Sequence, residues 1–297
     1  MSLSLKDYVY SEENSQKKVE KGDWAQEISW EKKKNACPAV VELETISTCN
    51  LKCPYCPNSK YARRHQRMSE EDFKRIIDEL HDWGFQGFLG TAFLCEPLTD
   101  ERCLSLFSYA RKKLPLAKMH LTTNGTLLTP ELLKNLLDNA FHTMRITQHT
   151  KVLKNEPELA ALLEKYPEYI NSVTVLRPGW TPLNYAGEVD GEYAPYRKQC
   201  AYYNIMTIDC YGQLVMCCRD IFGKNKYGSL SDGTLQEMWI KSEPVRRLLY
   251  TGKHNQKLPI CHKCVGEDSF KEKIKNRFPW TRGLKKKFLE MGSKLGK

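Results

Sequence analysis

The sequence predicts an α/β chain in which parallel strands alternate with helices. Three observations carry this. Short apolar runs with strand character recur five times between Val40 and Leu176. Helix-cap residues open an amphipathic segment after most of these runs. The residues at the strand ends are chemically unusual, rich in Cys, Glu-Pro and Asn-Gly. Such alternation builds right-handed βαβ units. Five units are too few for a closed eightfold barrel, which leaves an open partial barrel or a doubly wound sheet. In either, the site lies at the carboxyl ends of the strands.

In order, Val40–Ile46 reads as the first strand, followed by a cysteine-rich loop. Ser69-Glu70-Glu71-Asp72 resembles a capping box for a helix with Phe73, Ile76, Ile77 and Leu80 on one face. Phe85–Leu89 is the second strand, and Cys95-Glu96-Pro97 lies in the loop after it. Thr99-Asp100 is expected to cap a helix running to Lys113. Lys118–Leu121 is a strand that ends at Thr122-Thr123-Asn124-Gly125. Thr129-Pro130-Glu131, a cap followed by Pro at the first helical position, opens the next helix. Thr143–Thr147 is a strand, Glu158–Tyr166 a helix and Ser172–Leu176 a strand. After Trp180 the pattern changes. Ile205–Ile208 and Leu214–Cys217 flank a turn and form a hairpin. Two short helices follow near Leu235–Ile240 and Val245–Tyr250. The first 36 residues read as a polar arm with a short helix around Trp24–Trp30.

The 297 residues carry 41% hydrophobic side chains, an ordinary globular value, and no apolar run long enough to span a membrane. The N-terminus lacks a basic-then-apolar signal, so a cytoplasmic location is expected. Twelve cysteines in a chain of this kind point to metal or redox chemistry rather than disulfides. The net charge is +10, but +8 of it lies in residues 271–297, where Glu272 and Glu290 alone oppose ten Lys and Arg. The body is nearly neutral, so no nucleic-acid partner is expected.

The first cysteine loop reads Cys49-Asn50-Leu51-Lys52-Cys53-Pro54-Tyr55-Cys56, a C-x₃-C-x₂-C spacing. Three close thiolates suit an iron–sulfur cluster and leave one iron without a protein ligand. A structural zinc ion is the alternative, with His65 as a distant fourth ligand. The second set is Cys200, Cys217 and Cys261-x₂-Cys264, and here spacing leaves a cluster and a zinc ribbon equally open.

The first loop resembles the signature of the radical SAM superfamily, and the resemblance extends from Val40 to about Leu176. It implies a partial (β/α)6 barrel and a [4Fe–4S] cluster on Cys49, Cys53 and Cys56. It also implies that S-adenosylmethionine chelates the open iron and is split to a 5′-deoxyadenosyl radical, with reduced flavodoxin or ferredoxin as electron donor. Tyr55 belongs to the same signature. Leu94-Cys95-Glu96-Pro97-Leu98 is similar to the superfamily's Gly-Gly-Glu-Pro loop, which implies that Glu96 and Pro97 receive the methionine amino group. Cys95 stands where glycine is usual. Thr123 and Asn124 match the Thr-Asn-Gly turn expected near ribose or carboxylate, and Arg145 and Gln148 lie within reach of the cofactor. The second set, with Asp209-Cys210-Tyr211-Gly212 and Leu235-Gln236-Glu237-Met238-Trp239 around it, resembles the twitch domain, a shortened SPASM domain. This implies a second [4Fe–4S] cluster on Cys200, Cys217, Cys261 and Cys264. Of the remaining cysteines, Cys95 and Cys218 lie beside cofactor loops and are candidate hydrogen-atom donors, while Cys103 reads as a core filler.

The expected organisation is therefore an arm over 1–36, a core over 37–185, a small auxiliary-cluster domain over 186–270 and a basic tail over 271–297. Leu284, Phe288, Met291 and Leu295 would share one face of a tail helix, which fits packing on the protein's own body or a weak membrane-surface contact. Twitch enzymes of this length and layout include dehydrogenases and epimerases of aminocyclitols and aminoglycosides. The expected function is thus hydrogen abstraction from a small polar substrate, a sugar or aminocyclitol, ending in dehydrogenation or epimerisation. Modification of a ribosomal peptide is the runner-up, although the arm is short for a leader-binding domain. A non-catalytic electron carrier or zinc protein would not need the Glu-Pro and Thr-Asn-Gly loops.

Overall fold

A computed structural model describes residues 29–61, 65–91, 93–149, 156–176, 183–194 and 199–266. The basic tail, and the arm before residue 29, lie outside the described residues.

A single eight-stranded sheet organises the molecule, with strand order β5-β4-β3-β2-β1-β6-β7-β8. The strands are β1 (Val40–Leu43), β2 (Phe88–Thr91), β3 (Lys118–Thr123), β4 (Thr143–Thr147), β5 (Val173–Leu176), β6 (Ile205–Ile208), β7 (Gln213–Val215) and β8 (Lys226–Ser229). Strands β1 to β6 are parallel, and β7 and β8 continue the sheet antiparallel. The sheet is open, in keeping with a partial barrel. The hairpin of the cysteine-rich C-terminal part does not build a separate sheet. Its β6 pairs with β1 from Val40↔Ile205 to Leu43↔Ile208. The two cysteine-bearing parts therefore share a hydrogen-bonded ladder.

The helices are α1 (Trp30–Lys33), α2 (Pro57–Lys60), α3 (Glu70–Asp82), α4 (Cys103–Lys113), α5 (Pro130–Asn139), α6 (Glu156–Lys165), α7 (Leu235–Lys241), α8 (Glu243–Thr251), α9 (His254–Lys257) and α10 (Pro259–Val265). Ser69 caps α3 by accepting from the Asp72 N–H, and Thr129 caps α5 by accepting from Leu132. Phe73, Ile76, Ile77 and Leu80 are all buried, as their helical spacing requires. The core lies between these helices and the sheet, with Phe107 packed between Phe73 and Phe141 at ring separations of 5.5 and 4.7 Å. On β1, Val41 and Leu43 face this core, while Glu42 alternates to the other side of the sheet.

Some boundaries differ from expectation. Strand β2 begins at Phe88, because α3 ends in a Schellman turn: the Phe85 N–H bonds the Leu80 carbonyl, and Gly84 sits at φ 78°. Phe85 is thereby spent on closing the helix. Thr99-Asp100 does not cap α4. A 3₁₀ turn at Pro97–Thr99 comes first, with Glu96 accepting from the Leu98 N–H, and α4 starts at Cys103. Strand β8 was not anticipated. Lys226-Tyr-Gly-Ser has little strand character, and it is the ladder to β7 that orders it.

Candidate active site

The first cavity opens at the carboxyl ends of β1 to β4. It holds about 260 Å³ and is lined by Cys49, Cys53, Cys56, Cys95, Glu96, Thr122, Thr123, Asn124, His149 and Tyr185, among others. The three thiols thus face one space together with the Cys-Glu-Pro and Thr-Asn-Gly loops. Burial pushes the Cys49 and Cys56 thiols up, and the neighbouring cysteines push in the same direction. Thiolates packed this way need a cation to compensate them. Among the described residues no trio of His, Cys, Asp or Glu closes on a single metal ion. A cubane with one iron per thiolate is a larger group.

Glu96 ties the two loops. Its side chain is 2% exposed, and one carboxylate oxygen accepts from Thr123 Oγ1 at 2.6 Å and Leu98 N at 3.2 Å. The other accepts from Asn124 N at 2.6 Å. A carboxylate has about four acceptor positions, so one remains for an incoming ammonium. Burial raises the Glu96 carboxyl even against these bonds. The Asn124 amide donates to Asn50 Oδ1 at 2.9 Å and reaches Cys49 Sγ at 3.9 Å. Gly125 turns the chain at φ 77°, a conformation few other residues adopt. Tyr55, in the cysteine loop, has its hydroxyl 2.8 Å from His149 Nδ1.

Gln148 lies between Thr147 and His149, which both line the cavity, and is not itself among the lining residues. It is 1% exposed, and neither its amide nitrogen nor its oxygen has a partner. Such a group is costly unless something bonds it. An adenosine or amino-acid moiety offers both a donor and an acceptor. Arg145 differs in burial: it is exposed and lies beside His120, and like Gln148 it does not line the cavity. Pro97 stands in the 3₁₀ turn behind Glu96 and is buried.

The second cavity, about 280 Å³, is lined by Cys200, Cys217, Cys261 and Cys264, with Tyr202, Met216, Arg219, Leu249, His254 and Ile260 among its other walls. Helix α10 carries Cys261 and Cys264 one turn apart. Burial holds the Cys261 thiol at about 12 and pushes Cys217 well above its ordinary value. Arg219 Nη1 and His254 Nδ1 are both buried here without partners. A thiolate-ligated cluster meets the chemistry of this wall. Cys218 is not among the residues that line either cavity. It accepts from the Tyr202 hydroxyl at 2.7 Å, and Tyr202 is 3.4 Å from both carboxylate oxygens of Glu42. Cys95, in contrast, lines the first cavity. Cys103 and Cys210 are buried.

Two groups join the sites. Glu44, wholly buried just after β1, accepts from Leu94 N beside the first cavity and Cys210 N in the β6–β7 turn, both at 3.3 Å. Tyr185 lines the first cavity, and its phenol is pushed up by burial and also by Cys218 and Cys56. It and Ala186 hold left-handed backbone at φ 45° and 58°, an arrangement of the kind that clusters at functional sites. Asn184 sustains the turn: its Oδ1 accepts from Ala186 N, and its Nδ2 donates to the Lys263 carbonyl beside Cys264. Sequence reasoning missed His149, Tyr185, Arg219 and His254. Only Arg219, next to Cys217-Cys218, carried a signal that could have found it.

Comparison with known proteins agrees with this geometry. The radical SAM superfamily profile matches residues 43–175, and the profile of an iron-sulfur cluster-binding domain, SPASM, matches residues 200–265. The chain is 24% identical over 236 residues to the S-adenosyl-L-methionine-dependent 2-deoxy-scyllo-inosamine dehydrogenase of Niallia circulans, covering 76% of this chain and 92% of that protein. A shorter match, 28% over 96 residues, is to the tungsten-containing aldehyde ferredoxin oxidoreductase cofactor-modifying protein of Pyrococcus furiosus; it covers 32% of this chain and 26% of that one. Among solved structures, BtrN in complex with AdoMet and 2-DOIA superposes with a TM-score of 0.69 at 24% identity, over 77% of this chain and 93% of that one. The anSMEcpe enzyme with bound AdoMet gives 0.52 at 15% identity, over 83% and 95%. The chain belongs to the radical SAM superfamily and carries a SPASM-type iron–sulfur cluster-binding domain behind its core.

Proposed function

We propose that this chain is a radical SAM dehydrogenase that oxidises one carbinol of a small polyhydroxylated ring, an aminocyclitol or sugar. The observation that carries the proposal is the pairing of cavities: three thiols with an open, polar rim beside four thiols in a closed wall, on one sheet. The 2-deoxy-scyllo-inosamine dehydrogenase, matched over most of its length, supports the substrate class.

Cys49, Cys53 and Cys56 would hold the first [4Fe–4S] cluster, and Cys200, Cys217, Cys261 and Cys264 the second. When bound, S-adenosylmethionine and the two clusters supply a hydrogen-abstracting radical and an electron acceptor. The protein's part is positioning and exclusion of water. Glu96 receives the methionine ammonium at its one open acceptor position. Asn124 holds the Cys49 loop against the Thr-Asn-Gly turn, and Gln148, between the cavity residues Thr147 and His149, has an unpartnered amide that would serve the cofactor. Tyr185 bounds the substrate space on the side of the second site. Its phenol stays protonated and can donate to a ring hydroxyl. A reduced flavodoxin or ferredoxin fits the need for single electrons.

The test is anaerobic turnover of 2-deoxy-scyllo-inosamine with a low-potential reductant. Ketone and 5′-deoxyadenosine in equal amounts would support the proposal. Cleavage of S-adenosylmethionine that no cyclitol or sugar stimulates would refute the substrate class.

One observation favours epimerisation as a second reading. The Cys95 thiol lines the first cavity, where a thiol can return a hydrogen atom to a substrate radical.

A further inference from the structure

Arg219 follows the Cys217–Cys218 pair, and its side chain lines the four-cysteine cavity. Nη1 is buried and bonds nothing. Among the described residues, the groups acting most strongly on the guanidinium are Cys264, Cys218, Tyr202 and Cys217. No salt bridge of Arg219 occurs among the described residues. A guanidinium cannot shed its charge in a protein. Arg219 is half-buried, and holding its Nη1 out of water without a counter-charge is unfavourable.

The missing counter-charge is at hand. Four thiolates outweigh the positive charge of an iron–sulfur cube, so a cluster here is anionic. It becomes more so by one charge when it takes up an electron. Charge and hydrogen bonds at the sulfurs are among the levers that set a cluster's potential. We propose that Arg219 is the fixed counter-cation of the second cluster, donating through Nη1 to a cluster or cysteine sulfur and raising its reduction potential so that it accepts an electron from a substrate radical. This rests on the dehydrogenase reading for its purpose, though not for its physics.

Two contrasts sharpen the assignment. His254 Nδ1 also faces the cavity unpartnered. Burial lowers the pKa of that ring, which favours its neutral form and leaves it no fixed charge to set against a cluster. Among the described residues the lining of the first cavity holds no Arg or Lys, and the charged groups acting on Cys49 and Cys56 are Glu96 and other cysteines. Among the described residues Arg219 is thus the cation that separates the two sites electrostatically.

The experiment is an EPR-monitored redox titration of the fully reconstituted chain, without substrate or S-adenosylmethionine. Wild type, Arg219→Gln and Arg219→Lys are compared, and the double variant Cys261→Ala/Cys264→Ala identifies the signal of the first cluster. Arg219→Gln should lower the potential of the second cluster by at least the 59 mV that corresponds to a tenfold change in a one-electron equilibrium. The first cluster should not move. Arg219→Lys, which keeps the charge and loses the planar fork, should lower it less. An unmoved second cluster, or equal shifts in both, would overturn the proposal. Should Arg219→Gln fail to retain its second cluster, Arg219→Lys decides alone: a fall confined to the second cluster supports the role, and no fall overturns it. A shifted potential in a chain that oxidises no cyclitol would sink the function while leaving Arg219 its role.

Discussion

The two cysteine cavities are nearly equal in size and opposite in character. The first has three thiols, a polar rim of Glu96, Thr123, Asn124 and His149, and an unsatisfied Gln148 beside it. The second has four thiols, walls of Met216, Leu249 and Ile260, and an unsatisfied cation. A site with one ligand too few and spare hydrogen-bonding groups is built to take a small molecule. A site with a full ligand set is built to hold its cluster closed. The difference teaches that division of labour follows from ligand count and from what lines the remainder. Both sites are fixed to strand β1, through Glu44 and the β1–β6 ladder, so their separation is rigid.

The largest expected effect comes from removing a thiol at the open site. Cys53→Ala should drop reductive cleavage of S-adenosylmethionine to the uncatalysed background, as measured by 5′-deoxyadenosine formed anaerobically. Wild-type cleavage would break the comparison at once. Next is the closed site. Cys261→Ala/Cys264→Ala should leave cleavage in place, slowed and uncoupled, while the oxidised product disappears. Retention of product at the wild-type rate would remove any need for a second cluster in the chemistry.

A smaller effect is expected at Gln148. Replacing it with Leu removes two orphaned polar atoms from the ligand-free chain and one or two bonds from the bound state. The thermal midpoint without ligand should rise, while binding of S-adenosylmethionine weakens about tenfold, near the net worth of one such hydrogen bond. Calorimetry of both quantities checks it; unchanged affinity would place the cofactor elsewhere. The smallest effect separates the two candidate donors. A dehydrogenase leaves no solvent deuterium at the oxidised carbon, so Cys218→Ala and Cys95→Ala should each change turnover by less than about tenfold, a shift of under 1.4 kcal/mol in the barrier. One deuterium per turnover in D₂O, abolished by either substitution, would favour the epimerase.

Much of this was legible in the sequence because local signals and tertiary fold agree there. Ser69, Thr129 and the spacing of Phe73, Ile76, Ile77 and Leu80 each state a local rule that the fold obeys. The rim is also legible, since turns that follow parallel strands must converge. What was hidden depends on non-local pairing. That β6 docks on β1 is a choice of partner, not of propensity. Tyr185 lies where the backbone is left-handed against its own preference, held there by Asn184 and Lys263. Glu96 looked like a free ligand in the sequence, but its burial and bonds to Thr123 and Asn124 arise only once two distant loops meet. Arg145 looked equally well placed on β4, yet its side chain stays outside the cavity.

The central claim is that the chain holds two iron–sulfur clusters, one open and one closed. Iron counting with Mössbauer spectroscopy on anaerobically reconstituted protein tests it most directly. The account predicts about eight irons per chain, falling to about four in Cys261→Ala/Cys264→Ala with the remaining cluster still perturbed by S-adenosylmethionine. Stoichiometric zinc without iron at either site, or a surviving cluster blind to S-adenosylmethionine, would contradict it.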